Sequence, residues 1–389
     1  MDTPIDVLII GGGPAGATAC HLLARTGRSV LLVDRESFPR PKLCAGLLTR
    51  KTIQILEGVF GTGRDDLIHE GIIHHSSTEY AIRGQRSLLA NGTLDYPFHF
   101  VQRTTYDHML LNRAAAHGGE LRLNDPVVRL DPLSGTAQMK SGHRVRARFI
   151  IGADGANSLV RRTLMRRKLV RGRWQQGLAT AVETFATAPG VRTTYPVLYF
   201  GCIPWGYGWS FPGKDHQVLG LCGLNSRSRG DFTKLFKEFL SRLSLDPNTC
   251  RIKGHPLPYG NPLVPPGHGR VLLAGDACGL VDPLLGEGIY YAHASGLLAA
   301  KAIIRAADNP ESAMTYYSRA LSTTLLSEMR YIAMWRWFTF TCLKPFDFRF
   351  LGTLVRSFQK QMEETIQGQR LFRWMKRVAD RNDPVQGYV

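Results

Sequence analysis

Apolar positions first appear in this chain as a nearly unbroken run, Ile5-Asp6-Val7-Leu8-Ile9-Ile10, which leads into Gly11-Gly12-Gly13-Pro14-Ala15-Gly16. β-Favouring residues with so little alternation predict a strand buried on both faces, and the glycines predict a tight turn into a helix. A second run, Ser29-Val30-Leu31-Leu32-Val33, ends at Asp34-Arg35. Beyond residue 68 short β-like pieces (71–75 and 79–82) alternate with turns. A helix capped by Thr104 or Thr105 is predicted to run to His117. Strand patterns follow over 120–123, 127–130, 137–140 and 146–151, with a turn at Asp131-Pro132-Leu133-Ser134-Gly135. From 175 to 260 the pattern is again mostly β, interrupted by one amphipathic helix near Phe232 to Leu243. Arg270-Val271-Leu272-Leu273-Ala274-Gly275-Asp276-Ala277 predicts a strand entering a turn, followed by a long helix over 287–307. From Glu311 onwards the pattern is helical.

Composition narrows this picture in a few places. A chain of 389 residues, 44% hydrophobic and 21% charged, is long enough for two or three domains and too apolar to be disordered. The net charge of +18 points to anionic partners, such as phosphorylated molecules or the anionic face of a membrane, although scattered arginines, densest from Arg161 to Arg173, also suit a solvated surface. No nucleic-acid module is present in the sequence. Seven dispersed cysteines show neither a CxxC pair nor a His–Cys metal spacing, so neither a metal site nor a disulfide framework is expected. No signal peptide precedes the first strand, and no apolar run approaches the roughly 20 residues of a spanning helix. The expected location is cytoplasmic, with contact at the inner face of a membrane left open. Tyr331, Trp335, Trp337, Phe338, Phe340, Phe346, Phe348 and Phe350, interrupted by Arg336, Lys344 and Arg349, suit either a core or an interfacial surface.

The candidate chemistry lies in three separated segments. In the first, Gly11 serves the turn, Gly13 lets backbone N–H groups approach a pyrophosphate, and Gly16 lets the helix pack on the strand, while Asp34 stands where a carboxylate meets ribose hydroxyls. The helix start at Pro14-Ala15 adds about half a positive charge. Gly152-Ala153-Asp154-Gly155 and Gly275-Asp276-Ala277 are the other two, with Arg103 between them. A long buried flavin dinucleotide needs a dedicated contact for its pyrophosphate, each of its ribose-like chains and its ring.

These segments, in this order, resemble the p-hydroxybenzoate hydroxylase-like flavoproteins over nearly all of residues 1–310. The resemblance implies an α/β fold: a discontinuous Rossmann-type FAD-binding domain (1–70, 100–170 and 265–310), an inserted, mainly antiparallel β-sheet substrate domain (71–99 and 171–264), and a helical C-terminal region (311–389). It implies FAD as cofactor, with Asp34 at the adenosine ribose, Arg103 near the pyrophosphate and Val127 at adenine. Asp154 would support the pyrophosphate region and Asp276 the ribityl chain. Pro283, Gly286 and Gly288, with Ile289, would present backbone N–H groups to the ring. Many members carry Glu where Asp34 stands, so the ribose contact is a shortened variant.

Pro204-Trp205-Gly206-Tyr207-Gly208-Trp209-Ser210-Phe211-Pro212 fits PxxYxWxFP, and the loop from Pro39 through Cys44, Ala45 and Gly46 looks like a cysteine-bearing flavin loop. Both features resemble the geranylgeranyl reductase family. That implies a reductase that saturates isoprenoid double bonds by hydride transfer from reduced flavin, with a prenylated or lipid-like substrate. Tyr207, Trp209 and Phe211 share one strand face and would wall its channel, and Cys44, Tyr207 or an ordered water would supply a proton. An FAD monooxygenase or halogenase shares the scaffold, but Tyr207 and Phe211 stand where the halogenase WxWxIP motif has Trp and Ile. A third reading is a membrane-peripheral flavoprotein that binds a prenyl ligand without turnover. No second GxGxxG with a following carboxylate occurs, which leaves the electron donor open between NAD(P)H bound in passing and a ferredoxin-like or quinol-like donor.

Overall fold

The computed structural model describes residues 3–372 apart from 188–191, 229, 261 and 308. Strands β1 (Thr3–Ile10) and β2 (Val30–Val33) flank helix α1 (Pro14–Ala24). The chain continues through β3 (Leu47–Leu48), α2 (Arg50–Phe60), α3 (Arg64–His69) and the hairpin of β4 (Ile73–Arg83) with β5 (Leu88–Val101). Helix α4 (Arg103–Ala115) leads to β6 (Glu120–Arg122), β7 (Val127–Asp131), β8 (Thr136–Met139) and β9 (Arg144–Gly152), which α5 (Leu159–Arg166) follows. Next come β10 (Leu178–Ala186), β11 (Val197–Phe200), β12 (Gly206–Pro212), β13 (Gln217–Leu224), α6 (Phe232–Arg242) and β14 (Lys253–Pro258). Strands β15 (Gly267–His268) and β16 (Val271–Leu273) precede α7 (Ile289–Ala306), α8 (Pro310–Thr323), α9 (Leu325–Phe338), α10 (Arg349–Ser357) and α11 (Gln359–Ile366).

One sheet has the order β15-β16-β9-β1-β2-β6, with β7 and β8 attached to the edge of β9. Its strands from β16 to β6 run parallel, and Val7, Leu8 and Ile9 are fully buried, as an apolar run covered on both faces requires. A Cβ added to Gly16 would fall 1.9 Å from the Gly11 carbonyl oxygen, so only glycine lets α1 lie this close to the strand end.

The second sheet, β14-β10-β13-β12-β11-β4-β5-β3, is antiparallel except where β11 meets β4. Its alternation separates two faces. Val182, Leu219 and Leu221 pack against Phe236, Phe239 and Leu240 of α6, whereas Ala181, Tyr207, Trp209 and Cys222 face the other way. Helices α9 to α11 cover that second face. There Phe340, Phe348, Leu351 and Val355 join Leu89, Phe200 and Tyr207 in one apolar cluster. Gly352 makes this approach possible, since a Cβ on it would lie 2.3 Å from the Leu89 carbonyl oxygen.

Local differences from the sequence pattern have identifiable causes. Helix α4 starts one residue before Thr104, and Thr105 Oγ1 donates back to the Gln102 carbonyl at 3.0 Å instead of capping an N–H. The pieces expected over 71–82 belong to one long, bulged hairpin. The aromatic C-terminal segment divides: Phe340 and Phe348 are buried, whereas Met334, Trp337, Phe346 and Phe350 are more than half exposed. The remainder of the predicted helical region, 373–389, lies outside the described residues.

Candidate functional site

A cavity of about 840 Å³ opens at the C-terminal ends of β1, β2, β9 and β16 and extends between the second sheet and the C-terminal helices. This end of a parallel sheet is where helix N-termini and unsatisfied strand-end groups converge on a ligand. Of the site residues predicted from the sequence, all line this cavity except Gly16 and Pro283. Gly16 sits at the helix–strand contact. Pro283 corrects the expectation of a ring-facing N–H: proline has none, and its ring packs at Gly260, where an added Cβ would lie 2.2 Å from Pro283 Cβ.

At the glycine turn, α1 begins with Gly13 as N-cap, no side-chain cap and no acidic residue in its first turn, so its positive end faces the cavity uncompensated. A Cβ on Gly13 would meet only Arg40 Nη2, at 3.9 Å. The space above this glycine is therefore open, with a guanidinium beside it. Asp107, which is fully buried, accepts 2.7 and 2.9 Å hydrogen bonds from Arg103 and lies 3.2 Å from Arg40. One carboxylate thus serves two guanidiniums and leaves a net positive charge by the turn. Burial opposes the charge on Arg103, yet Asp107 and Cys44 hold its pKa above the ordinary value.

Asp34 is oriented by two backbone donors, Gly12 N at 2.6 Å and Glu36 N at 2.9 Å. Arg35 pairs at 3.3 Å with Glu36 on the surface side. Asp154 accepts from Leu159 N at 2.6 Å and Val160 N at 3.2 Å, while its Oδ1 is buried without a partner among the described residues. Burial pushes the carboxyls of Asp154 and Asp276 up, and Lys42 and Arg103 oppose the rise at Asp276. Gly275 N donates to Ser295 Oγ at 2.8 Å and so ties that turn to α7.

The turn before α7 is wound around Asp282, which accepts from Leu284 N at 2.7 Å and Leu285 N at 2.6 Å. Burial pushes its carboxyl up to about 6. Gly286 follows at φ +70°, in the left-handed region that favours glycine. Helix α7 starts at Ile289 with Gly288 as N-cap, no side-chain cap and no acid in its first turn, a second positive helix end on the same cavity. Tyr207, Trp209 and Phe211 form the opposite wall. The Tyr207 hydroxyl donates to the Leu285 carbonyl oxygen, which joins the wall to this turn. Cys44 accepts from Gly46 N at 3.4 Å.

Besides Arg40, sequence reasoning missed four polar participants. Lys42 Nζ meets His255 Nε2 at 2.7 Å, and Glu183 lines the same region. Burial brings His255 down to about 4 and pushes Glu183 up to about 7 against the influence of Lys42 and Arg103. Asp107 is the fourth, and its signal was the i, i+4 spacing from Arg103. The signal for Glu183 was a carboxylate at a strand position that shares a face with Ala181.

The sequence profile of the family described as FAD binding domain matches residues 4–199. A geranylgeranyl diphosphate reductase from Rhodobacter capsulatus is 34% identical over 76% of this chain and 74% of its own length. A tryptophan 2-halogenase from Chondromyces crocatus is 28% identical over 80% of this chain and 64% of its own length. Among solved structures, a geranylgeranyl bacteriochlorophyll reductase-like protein from Thermoplasma acidophilum superposes with a TM-score of 0.74 at 19% identity, covering 100% of this chain and 96% of that one, a likeness of fold.

Proposed function

We propose, from the premise that this chain belongs to the FAD binding domain family and within it to the geranylgeranyl reductase-like FAD-dependent oxidoreductases, that it saturates carbon–carbon double bonds of an isoprenoid chain. The observation that carries this reading is the continuity of one cavity from the glycine turn of α1 to the apolar wall of Tyr207, Trp209 and Phe211.

The residues present fit FAD. The open space above Gly13, the positive ends of α1 and α7, and the unpartnered Oδ1 of Asp154 are the features that a pyrophosphate, a reduced ring and a polyhydroxyl chain would use. In this assignment Gly11, Gly13, Pro14 and Ala15 hold the pyrophosphate with Arg40 and Arg103. Asp34 and Arg35 take the adenosine ribose side, and Val127 meets the adenine. Asp154, Gly275 and Asp276 serve the central chain, and Ala45, Gly46, Gly286, Gly288 and Ile289 face the ring. When bound and reduced, FAD supplies a hydride.

The side chains have distinct tasks. The wall of β12 and the roof residues Leu343, Leu351, Leu354 and Val355 keep the site dry and align a chain that has no carbonyl to polarise. Tyr207, whose hydroxyl already serves Leu285, fixes the turn before α7 against this wall. Cys44, beside Arg103 and the Gly46 N–H, delivers the proton to the second alkene carbon. We infer further that the exposed Met334, Trp337, Phe346 and Phe350, with the exposed Arg330, Lys344 and Arg349 on the same stretch of chain, rest at an anionic lipid surface. Among the described residues no helix is long and apolar enough to cross a membrane.

The test is anaerobic incubation of the reduced holoenzyme with geranylgeranyl diphosphate and with a geranylgeranyl lipid. Product masses should rise by two hydrogens per bond saturated. No shift with either substrate overturns the reading, and an oxygen-dependent hydroxylation or a halide-dependent substitution would favour the monooxygenase or halogenase alternative.

A further inference from the structure

We propose that Glu183 and Trp209, with Gly220 between them, form a two-point subsite that takes an uncharged oxygen of the substrate, a carbonyl or a hydroxyl, in the wall of the cavity. The proposal rests on the reading that the cavity holds a prenyl chain.

Strand register puts the three residues in line. Glu183 of β10 pairs with Gly220 of β13, which pairs with Trp209 of β12. An added Cβ on Gly220 would lie 2.0 Å from Trp209 Cζ2 and 2.2 Å from Cε2, the carbon that bears the indole nitrogen. The indole therefore lies across the glycine, one strand from Glu183, and only the missing side chain allows it. Both residues line the cavity and are almost entirely buried, at 4% and 7% exposure. Glu183 Oε2 and Trp209 Nε1 have no hydrogen-bond partner among the described residues and are covered by their neighbours while the cavity is empty, so a substrate oxygen reaches them only as these side chains turn towards the cavity. Buried polar atoms left this way are costly unless something pairs with them. Other polar groups on this wall are engaged already: the Tyr207 hydroxyl with the Leu285 carbonyl, and His255 with Lys42.

The chemistry of the pair selects its ligand. An indole N–H only donates, whereas a carboxyl donates when protonated and accepts when ionised. Burial favours the protonated form of Glu183, against Lys42 and Arg103. A carbonyl oxygen can receive both donors, and a hydroxyl can receive from Trp209 and donate to Glu183. A diphosphate would bring negative charge against the carboxyl wherever it is ionised, and a hydrocarbon would leave both atoms unpaired. A site built to hydrogen-bond an oxygen rejects analogues that lack it.

The test titrates the full-length FAD-loaded protein with geranylgeranylacetone, geranylgeraniol, geranylgeranyl diphosphate and squalene, following the perturbation of flavin absorbance. Wild type should bind the ketone or the alcohol about tenfold more tightly than squalene, the factor expected for one good hydrogen bond. Trp209→Phe and Glu183→Leu should abolish that preference, the ketone and the alcohol each losing about tenfold in affinity relative to squalene in the same variant. Glu183→Gln, which keeps a donor and an acceptor, should retain the preference and gain affinity for the diphosphate. A ketone preference without an alcohol preference identifies the oxygen as a carbonyl, and the converse a hydroxyl. If the variants weaken all four probes equally, or wild type shows no preference over squalene, the subsite is overturned while the prenyl reading stands. If none of the four binds, both fall.

Discussion

The hydroxyl of Tyr106 meets Nε2 of His293 at 2.7 Å, and Nδ1 of the same ring meets Thr18 Oγ1 at 2.7 Å. One buried imidazole thereby ties α4, α7 and α1 together. Burial brings His293 down to about 3, with Arg103 adding to the effect. The folded value lies below the unfolded one near 6.5, so the stabilisation is complete above that pH and is lost as pH falls towards 3. At pH 5 this group should cost wild type about 2 kcal/mol relative to pH 8, and His293→Gln should lack that component. Urea unfolding at the two pH values measures the difference, in which the buried His99 and His255 cancel. Equal pH dependence in both proteins would disprove it.

Gly13 and Gly16 should fail in different ways when changed to alanine. At Gly16 the new methyl meets the Gly11 carbonyl oxygen at 1.9 Å, so α1 must move and the apoprotein should lose stability. At Gly13 it meets only Arg40 Nη2 at 3.9 Å, so the apoprotein should melt like wild type. Yet that methyl occupies the space assigned to phosphate, and FAD affinity should fall at least about tenfold, the equivalent of one lost contact. Thermal melts of the apoprotein together with FAD titration separate the two outcomes.

Cys44→Ala should hold FAD and undergo reduction by dithionite normally, but form saturated product about 10²- to 10⁴-fold more slowly, as expected when a placed proton donor is removed. Cys44→Ser should recover part of the rate. Single-turnover mass spectrometry reads this directly, and an unchanged rate would remove Cys44 from the chemistry.

Changing Trp337, Phe346 and Phe350 together to serine should abolish co-sedimentation with phosphatidylglycerol vesicles. Activity on detergent-dispersed substrate should stay the same, because none of the three lines the cavity. Added salt should weaken the wild-type interaction through Arg330, Lys344 and Arg349. Vesicle binding that survives the triple change assigns that face another role.

What the sequence made legible follows from how local each feature is. The run Val7–Ile10 is buried on both faces, so its hydrophobicity alone reveals a parallel strand and the glycines after it mark the turn. The hairpin β4–β5 is half exposed and bulged near His75, Glu79 and Arg83, which breaks period two into apparent fragments. Glu183, His255 and Lys42 meet from three separated segments, and no local pattern announces such a convergence. The division of the C-terminal aromatics was equally hidden: a π-helical turn at Thr339–Leu343 and positive φ values at Asp347 and Phe348 reset the helical phase between Phe340 and Phe350.

The roof over the apolar wall comes from α9 to α11, after every group assigned to the nucleotide has already been supplied by residues up to Ile289. A growing polypeptide emerging from the ribosome therefore completes the seat for its prosthetic group while the greasy surface of β12 and β13 is still bare. A flavin seated at that stage would lie against part of this surface before the final helices fold down over it.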